Sequence, residues 1–495
     1  MGFFPKDVKN SLAGKRPIWL HMVSVGEVQA LRILLKKLRK EYPARKIAIS
    51  TVTPTGNKIA RSIAGEGDLV FYLPLDVSFI VRPVVDLINP CLFIIAETEI
   101  WPNLITYINK RDIPIISVNS RISDKSFKSY KLIKFLLQGI LNKISFFCAQ
   151  TQTDSQRLLA LRVDPKKIKL TGNMKFDTST LLSVNGERPS TWFDCAHHKS
   201  LRTALSERSE SNGRSRTIDN AENADKKNNA EDADYRLKLG LNADDKLLVA
   251  GSTHSGEDEI ILEAYKELLV EFTPLHPESP SLQAGDEWQI KFESTRKPRP
   301  LWRGVAGFTD LKLLLAPRHP ERAKEIGSLV TKYGFVSVFV SQLAGEPVSG
   351  LAGLPVSPLN PRTRAPAHPR TVFILDTIGQ LRDFYAVSDI VFVGGSLIKK
   401  GGQNILEPAA LAKPIIFGPY MFNFRDIAEL FLSESAAVLV KNKEELREKI
   451  KDLLLHPEAA LELGRRGREL LLKNQGASER NLEIIKQMLN YKITK

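Results

Sequence analysis

Short apolar runs alternate with amphipathic helical stretches along most of this chain, and that rhythm limits the fold more than any single motif does. Runs at Ile18–Val25, Ile47–Val52, Leu69–Leu73, Cys91–Ala96, Ile113–Val118 and Phe146–Gln150 are each followed by a helical pattern, several opened by caps such as Thr153 and Asp154. The rhythm resumes at Lys246–Ala250, Lys312–Ala316, Val336–Val340, Val372–Leu375, Ile390–Val393, Pro414–Phe417 and Ala437–Val440. From Lys443 to about Leu489 the chain is strongly helical. Continuous apolar runs between helices predict strands buried on both faces, hence a parallel, doubly wound α/β sheet, and here two of them. The expected domains are 1–178 and 236–495. Between them, 183–235 is rich in Ser, Asn, Asp and Lys and is expected to be disordered. Stretches near 273–307 and 344–370, rich in Pro, Gly and Arg, are expected to be surface insertions.

At 495 residues and 43% hydrophobic content the chain suits two soluble globular domains. No apolar run is long enough to span a bilayer, and the first residues lack the parts of a secretory signal. Three widely spaced cysteines, with Cys91 and Cys148 in strand-like runs, read as buried thiols in a reducing, cytoplasmic compartment. Charge is more telling. Residues 1–177 hold 28 Lys and Arg against 14 Asp and Glu, so nearly all of the net +15 lies in the first domain. Leu and Ile recur at helical spacing between lysines and arginines in Ala30–Tyr42 and Lys125–Lys143, a pattern that suits an anionic membrane surface. No zinc-finger or RNP signature is visible, so no nucleic-acid partner is expected.

Small residues gather after the strands of the second domain. GSTHSGE (Gly251–Glu257), with Ser252 and His254, is expected to leave backbone amides open to an anion, and VGGS (Val393–Ser396), with Gly394, Gly395 and Ser396, repeats the strand-then-Gly theme on the donor side. Arg318, in APRHPER, can grip a phosphate with two parallel hydrogen bonds. In GGQNILEP, Asn404 and Glu407 have the spacing of a capping box, and Glu407 also suits the two hydroxyls of a ribose. In the first domain Glu27 ends IWLHMVSVGE, where a strand gives way to a helix. The helix start favours its ionised form there, and a carboxylate can take a proton from a hydroxyl. Glu97 lies at a strand end, Glu99 at the next helix start, and Lys175 where the first domain runs out, placed to offset charge on a departing phosphate. The pair His197–His198 has no partner at ligand spacing, and no Asp-x-Asp motif ends a strand, so no metal is expected. Two such domains facing across a cleft suggest a sugar-nucleotide enzyme.

Taken together, VSVGE (Val23–Glu27), TPTG (Thr53–Gly56), ETEIWPN (Glu97–Asn103) and VNSRISDKSFKSY (Val118–Tyr130) resemble the 3-deoxy-D-manno-octulosonic acid (Kdo) transferases of lipopolysaccharide synthesis. The resemblance continues in order through TGNMKFD, AGSTHSGE, APRHPER, LDTIGQL and NILEPAA. It implies a GT-B fold and inverting transfer of Kdo from CMP-Kdo, a substrate rather than a cofactor, to the lipid A precursor. It implies Glu27 as proton acceptor and Glu97 and Lys175 as transition-state stabilisers. CMP contacts would fall on Pro317 and Arg318, on Ile378, Gly379 and Gln380, and on Asn404, Ile405, Leu406 and Glu407. The implied location is the cytoplasmic face of the inner membrane. The family usually opens with an apolar anchor, and this chain starts just downstream of its end, so it is expected to be shortened or to bind peripherally. Where the family commonly has His, this chain has Gln403, which predicts retained but weakened donor binding. Two alternatives remain open: a UDP-sugar transferase or 2-epimerase, and a catalytically inactive lipid-binding relative.

Overall fold

The computed structural model describes residues 15–178, 235–272, 310–343 and 370–493, which fall into two compact units. The expected disordered segment up to residue 234, most of both insertions, Cys195 and the His197–His198 pair lie outside the described residues, whereas Tyr235, expected to end that segment, is helical.

In the first unit, β1 (Ile18–His21), β2 (Ile47–Thr51), β3 (Leu69–Tyr72), β4 (Leu92–Ala96), β5 (Ile115–Ser120), β6 (Phe146–Ala149) and β7 (Ile168–Leu170) form one parallel sheet in the order β3-β2-β1-β4-β5-β6-β7. The helices are α1 (Val25–Ala30), α2 (Arg32–Glu41), α3 (Pro54–Ile63), α4 (Ser78–Ile88), α5 (Pro102–Lys110), α6 (Asp124–Leu132), α7 (Lys134–Leu141) and α8 (Gln152–Ala160). The central strands are largely apolar because the sheet has a core on each face. Trp19 packs on Phe71 and Phe93 on one side, while its neighbours Ile18 and Leu20 point into the other. Chain order reverses between β1 and β4, and ligands of doubly wound sheets bind in the crevice at such a switch, beyond the carboxyl ends of the strands. The short edge strand β7, half-exposed and interrupted by Lys169, has too little apolar pattern to be foreseen.

The second unit repeats the plan. Strands β8 (Lys246–Thr253), β9 (Leu311–Pro317), β10 (Val336–Phe339), β11 (Thr371–Ile374), β12 (Ile390–Val393), β13 (Ile415–Phe417) and β14 (Val438–Leu439) are parallel, in the order β10-β11-β9-β8-β12-β13-β14, with the switch between β8 and β12. Its helices are α9 (Asp258–Phe272), α10 (Ala323–Lys332), α11 (Leu381–Val387), α12 (Leu406–Ala410), α13 (Arg425–Ser433), α14 (Lys443–Leu455) and α15 (Pro457–Lys473).

The carboxyl-terminal helical stretch breaks at Pro457 and again at Gly476, whose φ of 88° ends a helix. Its last piece, α16 (Ala477–Ile493), corrects the expected boundary of the second domain. Ala477, Leu482, Ile485 and Leu489 pack into the first unit's core with Ile18 and Leu20, and the chain from Leu471 onward groups with that unit. Asp177 holds the start of α16 by accepting the amides of Gly476 (2.7 Å) and Ser478 (2.5 Å), and Lys486 pairs with Glu41 at 2.7 Å. A helical apolar stripe shows that a helix must pack, not which of two sheets it packs on.

Two basic amphipathic stretches also part company. In α2 the apolar face, Ile33, Leu34, Leu35 and Leu38, is buried in the core, so it is no membrane face. Across α6 and α7, Leu132 (85% exposed), Phe135 (70%) and Leu136 (75%) stay uncovered beside Lys125, Lys128 and Lys131. Among the described residues no helix is long and apolar enough to cross a membrane. Cys91 and Cys148 are buried free thiols, as expected.

Candidate active site

At the first unit's switch point, the strand predicted to run to Val25 stops at His21, because Ser24 caps α1. Glu27 is the third residue of that helix. It accepts hydrogen bonds from the Ser24 hydroxyl and the Val23 amide, both at 2.8 Å, while the Ser24 oxygen accepts the Glu27 amide at 3.4 Å. This is a reciprocal cap of the S-x-x-E kind, and it fixes the carboxylate in one place. Glu27 is nevertheless only 6% exposed. Burial pushes its pKa up to about 7; the Val23 amide and the Ser24 hydroxyl pull it down, and the negative charges of Glu97 and Glu99 push it further up. Burial thus works against the preference of the helix start for the ionised form.

Glu97 closes β4 across the switch from Glu27. Its φ of 54° lies in the left-handed region, a strained conformation for a side-chain-bearing residue that tends to be kept at functional sites. The Val118 carbonyl accepts its amide at 2.9 Å, and its own carbonyl accepts the Ser117 hydroxyl. Glu99 falls in the following turn, because α5 starts only at Pro102; burial and the charge of Glu97 raise its pKa. The structure brings Glu27, Glu97 and Glu99 together.

The loop of Lys175 is tied to the same edge. Asn119 (φ 52°) accepts the Met174 amide at 3.0 Å, and Thr178 donates its hydroxyl to the Ala30 carbonyl at the end of Glu27's helix, 3.3 Å away. The sequence motif VNSRISDKSFKSY contains Asn119 and Tyr130 but gives neither a role; burial and the charge of Glu99 push Tyr130 above the usual phenol range. The side-chain amide nitrogen of Asn119 and the hydroxyl of Thr98 are buried without a hydrogen-bond partner among the described residues.

In the second unit the amides of VGGS and of Leu397 already have partners within the chain. The amides of Gly395 (2.6 Å), Ser396 (3.0 Å) and Leu397 (2.9 Å) are donated to the carboxylate of Glu257, and that of Gly394 to the Gly251 carbonyl at 2.8 Å. None of these amides is open to a phosphate. The glycines serve close packing instead: a Cβ on Gly394 would lie 2.6 Å from the Ser252 carbonyl oxygen. Ser252 itself sits at φ 59°, at the end of β8.

Positive charge gathers beside this turn. His254 packs its ring on His319 at 6.1 Å, and its Nε2 is buried without a hydrogen-bond partner among the described residues. Burial lowers its pKa, with His319, Lys400, Arg322 and Arg318 lowering it further. Arg322 is committed to buried Asp258 at 2.8 Å. Arg318 follows Pro317 at the end of β9, its amide donated to the Thr253 carbonyl at 2.9 Å.

The Asn404–Glu407 pair is real, but it is not the expected capping box. Asn404 donates its side-chain amide to the Glu407 carboxylate at 3.0 Å and accepts the Leu406 amide at 3.2 Å; α12 begins only at Leu406, with Ile405 in the cap position and no side-chain cap. Burial raises the pKa of Glu407, against the Asn404 bond and the charges of Arg382 and Arg318. Ile405 and Leu406 are fully buried, and the Leu406 amide is already bonded to Asn404. Ile378 is 87% exposed, Gly379 takes a φ of 96°, and Gln380 precedes α11 with its side-chain oxygen bonded by the Thr377 hydroxyl. Gln403 follows Gly401 and Gly402, both at positive φ.

Two doubly wound units of seven parallel strands make a GT-B fold. The chain resembles a glycosyltransferase from Rickettsia africae (TM-score 0.53, 13% identity, covering 96% of this chain and 99% of that one). It also resembles UDP-GlcNAc 2-epimerase from Neisseria meningitidis bound to UDP-GlcNAc (TM-score 0.53, 12% identity, 95% and 100% covered). Identities this low show the fold alone. Residues 1–178 match the family model described as 3-deoxy-D-manno-octulosonic-acid transferase, and residues 377–489 one described as glycosyl transferase-like. A 3-deoxy-D-manno-octulosonic acid transferase of Haemophilus influenzae is 30% identical over 95% of this chain and 87% of its own length, and one of Chlamydophila psittaci is 28% identical over 97% and 87%. The chain belongs to the Kdo transferase family and is a glycosyltransferase.

Proposed function

We propose that the chain transfers Kdo from CMP-Kdo to a sugar hydroxyl of the lipid A precursor, with inversion at the anomeric carbon and Glu27 as general base. The observation that carries this reading is Glu27 itself, a buried and reciprocally capped carboxylate whose pKa is pushed up to about 7 beside Glu97 and Glu99. A base is most effective when its pKa lies near the working pH. Glu27 takes the acceptor proton as the hydroxyl oxygen bonds to the Kdo anomeric carbon. The bond from that carbon to the phosphate oxygen breaks, and its electron pair leaves with CMP. A single displacement inverts the centre. Glu97 and Lys175 stabilise the charge that develops in the transition state.

Arg318 and Lys400 give the departing phosphate its positive surroundings, with His254 a neutral hydrogen-bonding neighbour, a role for which this reading requires no metal. Glu407 suits the ribose hydroxyls, held by Asn404. Pro317 and the Ile378–Gln380 turn suit the rest of the nucleotide. The acceptor is an anionic lipid, and the uncovered Leu132, Phe135 and Leu136 among lysines suit the surface of an anionic membrane, on its cytoplasmic face.

A transfer assay with radiolabelled CMP-Kdo and lipid A precursor tests the proposal, comparing the wild type with Glu27→Gln. Equal transfer by the two overturns the assignment of the base. Because UDP-sugar enzymes share the fold, thermal-shift binding with CMP and with UDP tests the nucleotide; stabilisation by UDP alone overturns the donor.

A further inference from the structure

Glu257 is a fully buried carboxylate that the proposed reaction does not use. It precedes α9 and lies at the second unit's switch point, where the turns after β8 and β12 meet. Three amides converging on one point, in a turn with Gly395 at φ 68°, make a backbone nest for an anion. The chain fills that nest with its own carboxylate.

The consequence reaches two segments of the donor edge. On one side the Glu257 amide is donated to the His254 carbonyl at 3.0 Å, and the His254 ring lies so close that a Cβ on Gly395 would stand 3.2 Å from its Cδ2. On the other side Gly395 accepts the Gly402 amide at 2.8 Å, fixing the glycine pair that leads to Gln403 and Asn404. Ser396 adds a second clasp, donating its hydroxyl to the Val393 carbonyl at 2.6 Å and accepting the Gly418 amide at 2.8 Å.

We propose that Glu257 is a positioning residue for the donor nucleotide: it holds the turn after β12 so that the phosphate is recognised by side chains, not by that turn's amides. The inference rests on the reading that CMP-Kdo binds this edge. Replacing the carboxylate by an amide sets an NH2 group against a backbone N–H, and the turn loses one of its three anchors.

Two measurements test it, both with CMP as the probe. In the wild type, hydrogen exchange at Gly395, Ser396 and Leu397 is expected to be slow without CMP and unchanged when CMP saturates. Amides that exchange freely until CMP arrives overturn the inference, because the phosphate would then be their partner. In Glu257→Gln, the Kd for CMP and the KM for CMP-Kdo are expected to rise together by roughly tenfold or more, as for a misplaced binding group, with kcat much less affected. A variant that loses thermal stability but binds CMP as tightly as the wild type shows a merely structural role and overturns the inference alone. Should the variant fail to fold, the exchange measurement decides. Wild-type protein that binds no CMP overturns both the donor reading and this inference.

Discussion

Glu27 and Glu257 occupy matching places. Each follows a glycine, at the start of the helix after the first strand of its sheet, and each is almost wholly buried. Their partners differ. Glu257 accepts three backbone amides and is consumed by holding a turn. Glu27 accepts one amide and one hydroxyl and faces two other carboxylates. Burial raises both pKa values, but at Glu257 three amides oppose it. A buried carboxylate is available for chemistry when its hydrogen bonds fix its position without neutralising its charge.

That contrast can be broken most directly at Glu27. Glu27→Gln should lower the transfer rate at saturating donor by about 10²–10⁴-fold, the usual contribution of a general base, whereas Glu257→Gln should act mainly on donor binding. Equal losses of kcat in the two variants would erase the distinction. On the donor edge, Arg318→Ala should raise the KM for CMP-Kdo by roughly ten- to a hundredfold, the worth of a charged hydrogen bond, without moving the pH profile.

With Glu27 as the base, the pH profile follows its carboxyl. Its pKa of about 7 predicts that the rate falls about tenfold per unit as pH drops below that value and the base takes up a proton. The same shift has a stability consequence. Between about 4.5, the ordinary value, and about 7 the folded state holds the proton more tightly than the unfolded one, so stability falls as pH rises through this window. Melting temperatures of wild type and Glu27→Gln should therefore agree more closely at pH 5 than at pH 8, where the variant gains. A gain confined to low pH would contradict the raised pKa.

Smaller effects sharpen the comparison around its edges. Phe135→Glu with Leu136→Glu should weaken sedimentation with anionic vesicles several-fold while leaving CMP binding intact. Ser24→Ala should cost about 1 kcal/mol of stability by urea unfolding and should also loosen Glu27, since one hydroxyl serves both.

Much of this molecule was legible in its pattern. Thirteen of the fourteen described strands were foreseen from apolar runs, because burial on both faces of a parallel sheet leaves a signal in every residue. The exception, β7, is a three-residue edge strand with a lysine at its centre. Site residues at strand ends, Glu27, Glu97 and Arg318, were placed by the same logic. Asn119 and Tyr130 were not, since each joins the edge through contacts far away in sequence.

The sequence by itself determined two doubly wound sheets, the concentration of positive charge in the first, and the motifs that identify the family. Those follow from local periodicity and composition. Only the tertiary structure decided that α16 belongs to the first core, that the apolar face of α2 is covered while Leu132, Phe135 and Leu136 are not, and that Glu257 is bound by three backbone amides. The physical reason is common to all three. Burial and hydrogen bonding are set by what lies opposite a residue in space, and neither helical spacing nor a motif records that neighbour.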